Sequence, residues 1–375
     1  MKIGKANVVI DGQWGSTGKG KLCGYLALQY DIQVAICNFM SNAGHTWVGD
    51  GGEKVITCQL PTSLINVDCK LLINPGAAIT ISQLNTELEM YQKYKVADRL
   101  MIHPNASIIE EIDREAENSD LKKISSTLKG CGGSLSRKVL RKAQIAQNIP
   151  ELKKYLGDTT RFVNTCLARG ETIMVEGAQG FDLSLNHGFQ YPYCTSRDVT
   201  TMSILNDSGI PFTHLGDVYG CIRTYPIRVG DMFSDKGEKI GTSGPFHTDQ
   251  TEVTWEELKR SSGSNVDLQE RTTVTKKIRR IFTFSKLQYK RFLMVCSPDY
   301  IFVNFINHLD ANDYGNRSYS NLTQPTVRFL NMIDHCIEDD ATITKKPVVV
   351  LLGTGPKNSD MININTVCKE GVSKL

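Results

Sequence analysis

Short apolar runs alternate along this chain with stretches in which apolar residues recur every three or four positions. That alternation predicts a layered α/β fold built on a mostly parallel sheet. The runs Asn7–Ile10, Ile32–Phe39, Lys70–Ile73, Thr172–Val175, Val218–Arg223, Phe292–Cys296, Tyr300–Ile306 and Pro347–Leu352 read as strands. Helical spacing covers Gly20–Tyr30, Ser82–Lys95, Ser107–Asn118, Thr254–Arg260 and Thr326–Ile337. Gly18, Gly20 and Gly24 fall where a strand-to-helix turn needs positive φ or close approach to a ligand. Residues 120–150 and 226–275 are polar and glycine-rich, and read as long loops or insertions that close over a substrate, or as disorder. There is no internal repeat and no low-complexity linker.

Composition narrows the class without naming a chemistry. A chain of 375 residues with 40% apolar content can bury a large core. A net charge of +3 with 22% charged residues gives no sign of a genome-binding surface or an acidic tail, so no direct nucleic-acid partner is expected. Eleven cysteines are scattered without a C-x-x-C pair, which argues for reduced thiols and against a zinc ribbon or a disulfide framework. The opening MKIGKANVVIDG has no apolar leader and no run approaches a membrane span. The expectation is a soluble, cytoplasmic protein with no membrane partner.

Candidate chemistry begins at residues 11–21, DGQWGSTGKGK. From Gly15 the spacing is G-x-x-x-x-G-K, yet Leu22 stands where a phosphate loop has the Ser or Thr that meets Mg²⁺. The stretch is therefore a damaged nucleotide site, a chance run of glycines, or a different phosphate-binding design with its metal ligand elsewhere. A strand, a glycine loop and a helix in that order suit an anion, and Lys19 and Lys21 add positive charge. Residues 38–46, NFMSNAGHT, follow the next strand; Gly44 offers an unhindered carbonyl and His45 a general acid or a cation beside a phosphoryl group. VEGAQGFDLSLNHG (175–188) and YPYCTSRD (191–198) supply the amide of Gln179 and the hydroxyls of Thr195 and Ser196.

Read in order, QWGSTGKGK, NAGHT, VEGAQG, YPYCTS and GTGP resemble the adenylosuccinate synthetase family, from residue 7 to about 358. The resemblance implies a large α/β catalytic domain spanning 1–375, with a central mostly parallel sheet and insertions near 82–150 and 226–275. It implies a Mg²⁺-dependent ligase that phosphorylates the 6-oxygen of a purine monophosphate and displaces the phosphate with the amine of L-aspartate. It also implies a homodimer.

Carried over by motif, the loop from Gly15 through Ser16, Thr17, Gly18, Lys19 and Gly20 holds the donor phosphates, with Lys19 nearest the transferred group. Asn307, Asp310, Gly353, Gly355 and Pro356 belong to the donor-nucleotide site. Gly44 supplies a carbonyl to Mg²⁺, aided by Ser16, and His45 is the catalytic histidine at the purine 6-oxygen. Asn42, Gln179, Thr195, Ser126 and Thr127 hold the purine monophosphate, together with Arg141 from the neighbouring subunit. Val274, Thr275, Lys277 and Arg279 grip aspartate; the family has arginine at the Lys277 position, and lysine lacks its two-pronged fork.

Two departures alter the expected substrates. The family loop reads G-D-E-G-K-G-K, and its Asp removes the purine N1 proton; here Ser16 and Thr17 replace Asp and Glu. A serine is a poor base near neutral pH, but it leaves room for a 2-amino group and can accept a hydrogen bond from it. A phage-type branch of the family, the PurZ enzymes, carries this replacement and uses dGMP. It makes N6-succino-2-amino-2'-deoxyadenylate, which leads to 2-aminoadenine DNA. In NHLD (307–310) Asp310 survives but the lysine that flanks guanine has become His308, and the resemblance to the PurZ branch, which takes ATP or dATP, implies an adenine donor. The alternatives are an ordinary enzyme using IMP and GTP, and a non-catalytic nucleotide-binding relative. If phage-encoded, the protein acts in the host cytoplasm.

Overall fold

The computed structural model describes residues 1–364 apart from 235, 273–276 and 339. Its centre is a nine-stranded sheet. From edge to edge the strands are Met361–Asn363, Val348–Gly353, Tyr300–Asn304, Leu215–Arg223, Ala6–Asp11, Ile173–Glu176, Val34–Cys37, Lys70–Ile73 and Leu100–Ile102. All neighbours are parallel except the edge strand Met361–Asn363. A parallel sheet covered on both faces needs apolar residues pointing both ways, so its strands are near-continuous apolar runs.

The two faces separate cleanly at the first strand. Ala6, Val8 and Ile10 pack into one apolar layer and Val9 into the other. The helix Lys19–Gln29 covers the Val9 face with Leu22, Cys23, Leu26 and Ala27. The opposite face is covered by Thr159–Ala168, Thr201–Asp207, Lys286–Cys296 and Gln324–His335.

Several expected elements change. Phe292–Cys296 is the last turn of the helix Lys286–Cys296 and not a strand. Tyr289, Phe292, Leu293 and Cys296 are buried at helical spacing, whereas Met294 and Val295 in the same run are exposed. The helix expected from Ser107 starts at Glu111, after the short strand Ser107–Ile108, because Glu110 and Asp113 form a reciprocal capping box there. The stretch 120–150 contains the helix Cys131–Val139. The stretch 226–275 contains strands that join a small second sheet, plus the helix Trp255–Ser262. Ile227, Trp255, Leu258 and Ile281 give that part an apolar cluster of its own. Among the described residues no helix is long and apolar enough to cross a membrane.

Candidate active site

The carboxyl ends of the parallel strands meet at one edge of the sheet, where open α/β sheets bind ligands. A cavity of about 660 Å³ opens there. Four neighbouring strands close on a polar residue at this edge: Asp11, Glu176, Arg223 and Asn304. Each organises a different part of the wall.

Asp11 is fully buried and is the hub of the glycine loop. Its Oδ1 accepts from the N–H groups of Gln13 (2.9 Å) and Gly15 (3.2 Å). Its Oδ2 accepts from the Thr17 N–H (3.3 Å), the Thr17 hydroxyl (2.6 Å) and Lys19 Nζ (3.0 Å). Thr17 is therefore turned inward, and it does not line the cavity as Gly15, Ser16, Gly18, Lys19 and Gly20 do. The helix Lys19–Gln29 begins without a side-chain cap, so its first N–H groups remain open to an anion. Gly18 has φ +101°, and a Cβ there would sit 2.1 Å from Asn304 Nδ2. At Gly20 a Cβ would lie 2.7 Å from the backbone nitrogen of Thr46, so glycine lets this helix touch the strand that starts at His45.

Glu176 orients His45. The imidazole Nδ1 lies 2.6 Å from Glu176 Oε1, and the Thr62 N–H and hydroxyl donate to the same carboxylate at 2.7 and 2.9 Å. Phe39 packs on the ring with centroids 4.2 Å apart. With Nδ1 engaged, Nε2 is the nitrogen left for chemistry in the cavity. Asn42, Gly44 and Gln179 stand beside it on the wall, and Gln179 Nε2 donates to Asn42 Oδ1 at 2.9 Å. Ser126, Thr127 and Thr195 also line the cavity.

Other expected residues stand apart. Arg279 lines the cavity with its buried Nε unpaired, while Lys277 is half-buried and outside the wall. Val274 and Thr275 lie outside the described residues. Arg141 is exposed at φ +60°, away from this chain's own cavity, after the exposed Val139 and Leu140. Asn307, Gly355 and Pro356 line the cavity; Gly353 does not, being packed against Asn304. The Asp310 carboxylate accepts from the Asn312 N–H at 3.0 Å, capping its own turn outside the cavity wall.

His308 is on the wall, buried, with Nδ1 unpaired. Burial, helped by the Arg223 guanidinium and opposed by Glu270, lowers it to about 4, so the ring is neutral near pH 7. Between pH 6.5 and 4 the unfolded chain holds the proton that the folded chain refuses, so stability falls as pH falls through that window. Melts of the protein and of His308→Asn should diverge there by on the order of 3 kcal/mol, the histidine form losing more. Parallel curves would mean that the ring titrates as if in water.

Motif reading missed Asp11, Glu176, Arg223 and Glu270, the last two joined in an ion pair in which Arg223 also holds the Ser16 carbonyl and Glu270 lines the cavity. It also missed Arg228, a wall residue whose guanidinium lies 4.8 Å above the Trp14 ring. A charged residue ending an apolar strand was the available signal for the first three.

Comparison with known proteins fits this geometry. The family profile for adenylosuccinate synthetase matches residues 8–150 and 142–314. The chain belongs to the adenylosuccinate synthetase family. An N6-succino-2-amino-2'-deoxyadenylate synthase of Acinetobacter phage SH-Ab 15497 is 37% identical over 339 residues, 82% of this chain and 86% of the relative. The enzyme of the same description from Vibrio phage phiVC8 is 39% identical over 318 residues, 81% of this chain and 86% of the relative. An adenylosuccinate synthetase of Methanococcus maripaludis is 30% identical over 361 residues, 95% and 98% of the two chains. Among solved structures, the cyanophage S-2L succinoaminodeoxyadenylate synthetase (PurZ), bound to dGMP and dATP as an energy donor, superposes with a TM-score of 0.78. It is 30% identical and covers 96% of each chain. The central sheet and helical layers of this family member are those expected from the apolar pattern.

Proposed function

We propose that this chain is a carbon–nitrogen ligase that joins L-aspartate to the 6-position of dGMP at the expense of ATP or dATP. The product is N6-succino-2-amino-2'-deoxyadenylate, the precursor of 2-aminoadenine for DNA. The observation that carries the reading is Ser16: a short hydroxyl on the cavity wall at the family's carboxylate position, with the nearby Asp11 carboxylate consumed inside the loop. The space and the acceptor oxygen suit a purine 2-amino group. The relatives from phages SH-Ab 15497 and phiVC8 support the same reading by name, and the cyanophage enzyme by its ligands.

The chemistry divides into two steps. The donor's γ-phosphoryl passes to the purine 6-oxygen, releasing the nucleoside diphosphate, while the N1 proton passes to water; the aspartate amine then attacks C6, inorganic phosphate leaves and the amine gives up a proton to solvent. Lys19 and the open N-terminus of its helix hold the donor phosphates. His45, held by Glu176, steadies charge on the 6-oxygen through Nε2. Asn42, Gln179, Ser126, Thr127 and Thr195 hold the nucleotide, and Arg279 and Lys277 hold aspartate with Val274 and Thr275. The Gly44 carbonyl and the Ser16 hydroxyl, neutral oxygens on one wall, fit a Mg²⁺ that takes most of its ligands from phosphate and water. Bound there, Mg²⁺ would neutralise charge on the transferred phosphoryl group. His308 and Asn307 face the donor side without the Asp310 carboxylate, which favours adenine over guanine. The exposed Arg141 and its apolar neighbours support a homodimer in which this arginine reaches the other subunit's site.

The test is turnover with Mg²⁺ and L-aspartate across IMP, GMP and dGMP, each paired with ATP, dATP and GTP. Phosphate release is expected to be fastest with dGMP and an adenine donor. Ser16→Asp is expected to cost dGMP turnover roughly tenfold or more through crowding, while IMP use rises. Faster turnover of IMP with GTP by the unaltered protein would assign it to the ordinary branch.

A further inference from the structure

We infer that the fully buried Arg223 and Glu270, partly exposed on the cavity wall, form a strut that sets the loop carrying Ser16 against the segment carrying Lys277 and Arg279, and so positions purine and aspartate relative to each other. The inference deepens the reading above and rests on its assignment of the aspartate segment. Arg223 ends a central strand with no exposed surface, and among the described residues it is the largest side chain buried so completely. Its Nη1 donates both to the backbone carbonyl of Ser16 (3.1 Å) and to Glu270 Oε2 (3.2 Å), while Nη2 donates to Glu270 Oε1. The guanidinium plane lies 4.0 Å from the centre of the Phe305 ring, which fixes its tilt.

Both ends of the strut reach substrate-facing elements. Ser16 has φ +57°, a conformation that L residues seldom hold unaided. The Arg223 bond to its carbonyl fixes the turn of that peptide, and with it the direction of the hydroxyl. Glu270 begins the other segment: its carbonyl accepts from the Arg279 N–H at 3.0 Å. The Thr272 N–H donates to the Lys277 carbonyl at 2.8 Å, and the Lys277 N–H to Thr272 Oγ1 at 2.9 Å. Arg279 and Lys277 are thus braced to a residue whose carboxylate is pinned to the sheet. Burial is the largest influence and works to raise the Glu270 carboxyl, but the charge and hydrogen bonds of Arg223, together with the charges of His308 and Arg279, hold it below the usual carboxylate range.

An ion pair serving stability alone would need only the two side chains. The third bond, to the carbonyl of the substrate-reading residue, makes this pair a positioning device. The fork lets Nη1 serve the Ser16 carbonyl and one carboxylate oxygen while Nη2 holds the other, and the single nitrogen of lysine cannot hold the carboxylate in two prongs.

The experiment uses the full-length protein with Glu270→Gln, Arg223→Lys and the double variant, with melting temperature measured for each. Glu270→Gln is expected to raise the KM for aspartate by about tenfold or more, leaving the KM for dGMP within about twofold. Arg223→Lys is expected to raise the aspartate KM likewise and also to shrink the preference for dGMP over IMP, because Ser16 loses its hold. The double variant should be no worse for aspartate than Arg223→Lys alone, as befits residues acting as one unit. Folded variants with unchanged KM values, or a loss of kcat that only follows the folded fraction, would overturn the strut. Failure of the functional reading is distinct, since it appears in the unaltered protein as preference for IMP, and the aspartate KM can then be read with that nucleotide.

Discussion

His45→Asn is expected to lower kcat by about 10²–10³-fold while leaving the KM for dGMP close to its original value. The imidazole is held by Glu176 at Nδ1 and by Phe39 against its face, leaving Nε2 for the cavity. A donor fixed in that way costs no reorganisation when charge builds on the purine 6-oxygen, so its worth lies in the transition state. Asparagine preserves a polar contact near Glu176 but cannot carry a nitrogen as far as Nε2. Steady-state kinetics with dGMP varied at saturating aspartate and donor decide the matter. A raised KM with near-normal kcat would reduce His45 to a substrate-holding residue.

Arg141→Ala and Lys19→Ala are each expected to be nearly inactive alone, and together to recover up to about a quarter of the original activity. About half of randomly assembled dimers are mixed, and each mixed dimer carries one intact site of two. The structure motivates the pairing: Lys19 lies inside its own chain's cavity, while Arg141 sits exposed and apart from it. A guanidinium on a phosphate is a charge-assisted contact that alanine cannot replace. Lys19→Ala leaves the Asp11 carboxylate satisfied by the Thr17 hydroxyl and three loop N–H groups, so the loop survives the change. Co-expression with two tags isolates the mixed dimer. If that species is inactive, Arg141 serves its own chain.

The sheet was legible because both faces are covered, which turns Val34–Cys37 and the Leu71–Ile73 part of its neighbour into unbroken apolar runs. The same habit misread Phe292–Cys296, where a run of five apolar residues hides two exposed ones on the back of a helix. In the site, the glycine loop was legible because a strand-to-helix turn calls for glycine there, and His45 because its motif falls in order among those of the family. Their partners were not. His45 and Glu176 are 131 residues apart, and Arg223 and Glu270 are 47 apart, so only the fold brings them together. What the sequence did carry was a charged or amide residue at the end of four neighbouring strands, a mark that glycine and histidine motifs overshadow.

The carboxylate of Asp11 has a kinetic consequence. A nucleotide-binding loop usually waits for phosphate to satisfy its N–H groups, and ordering it draws on the affinity of the ligand. Here Gln13, Gly15 and Thr17 are satisfied from within, so ordering the loop that carries Ser16 draws less on a ligand's binding energy. Under the proposed function, a loop ordered in advance would place discrimination between dGMP and its near-relatives at first docking.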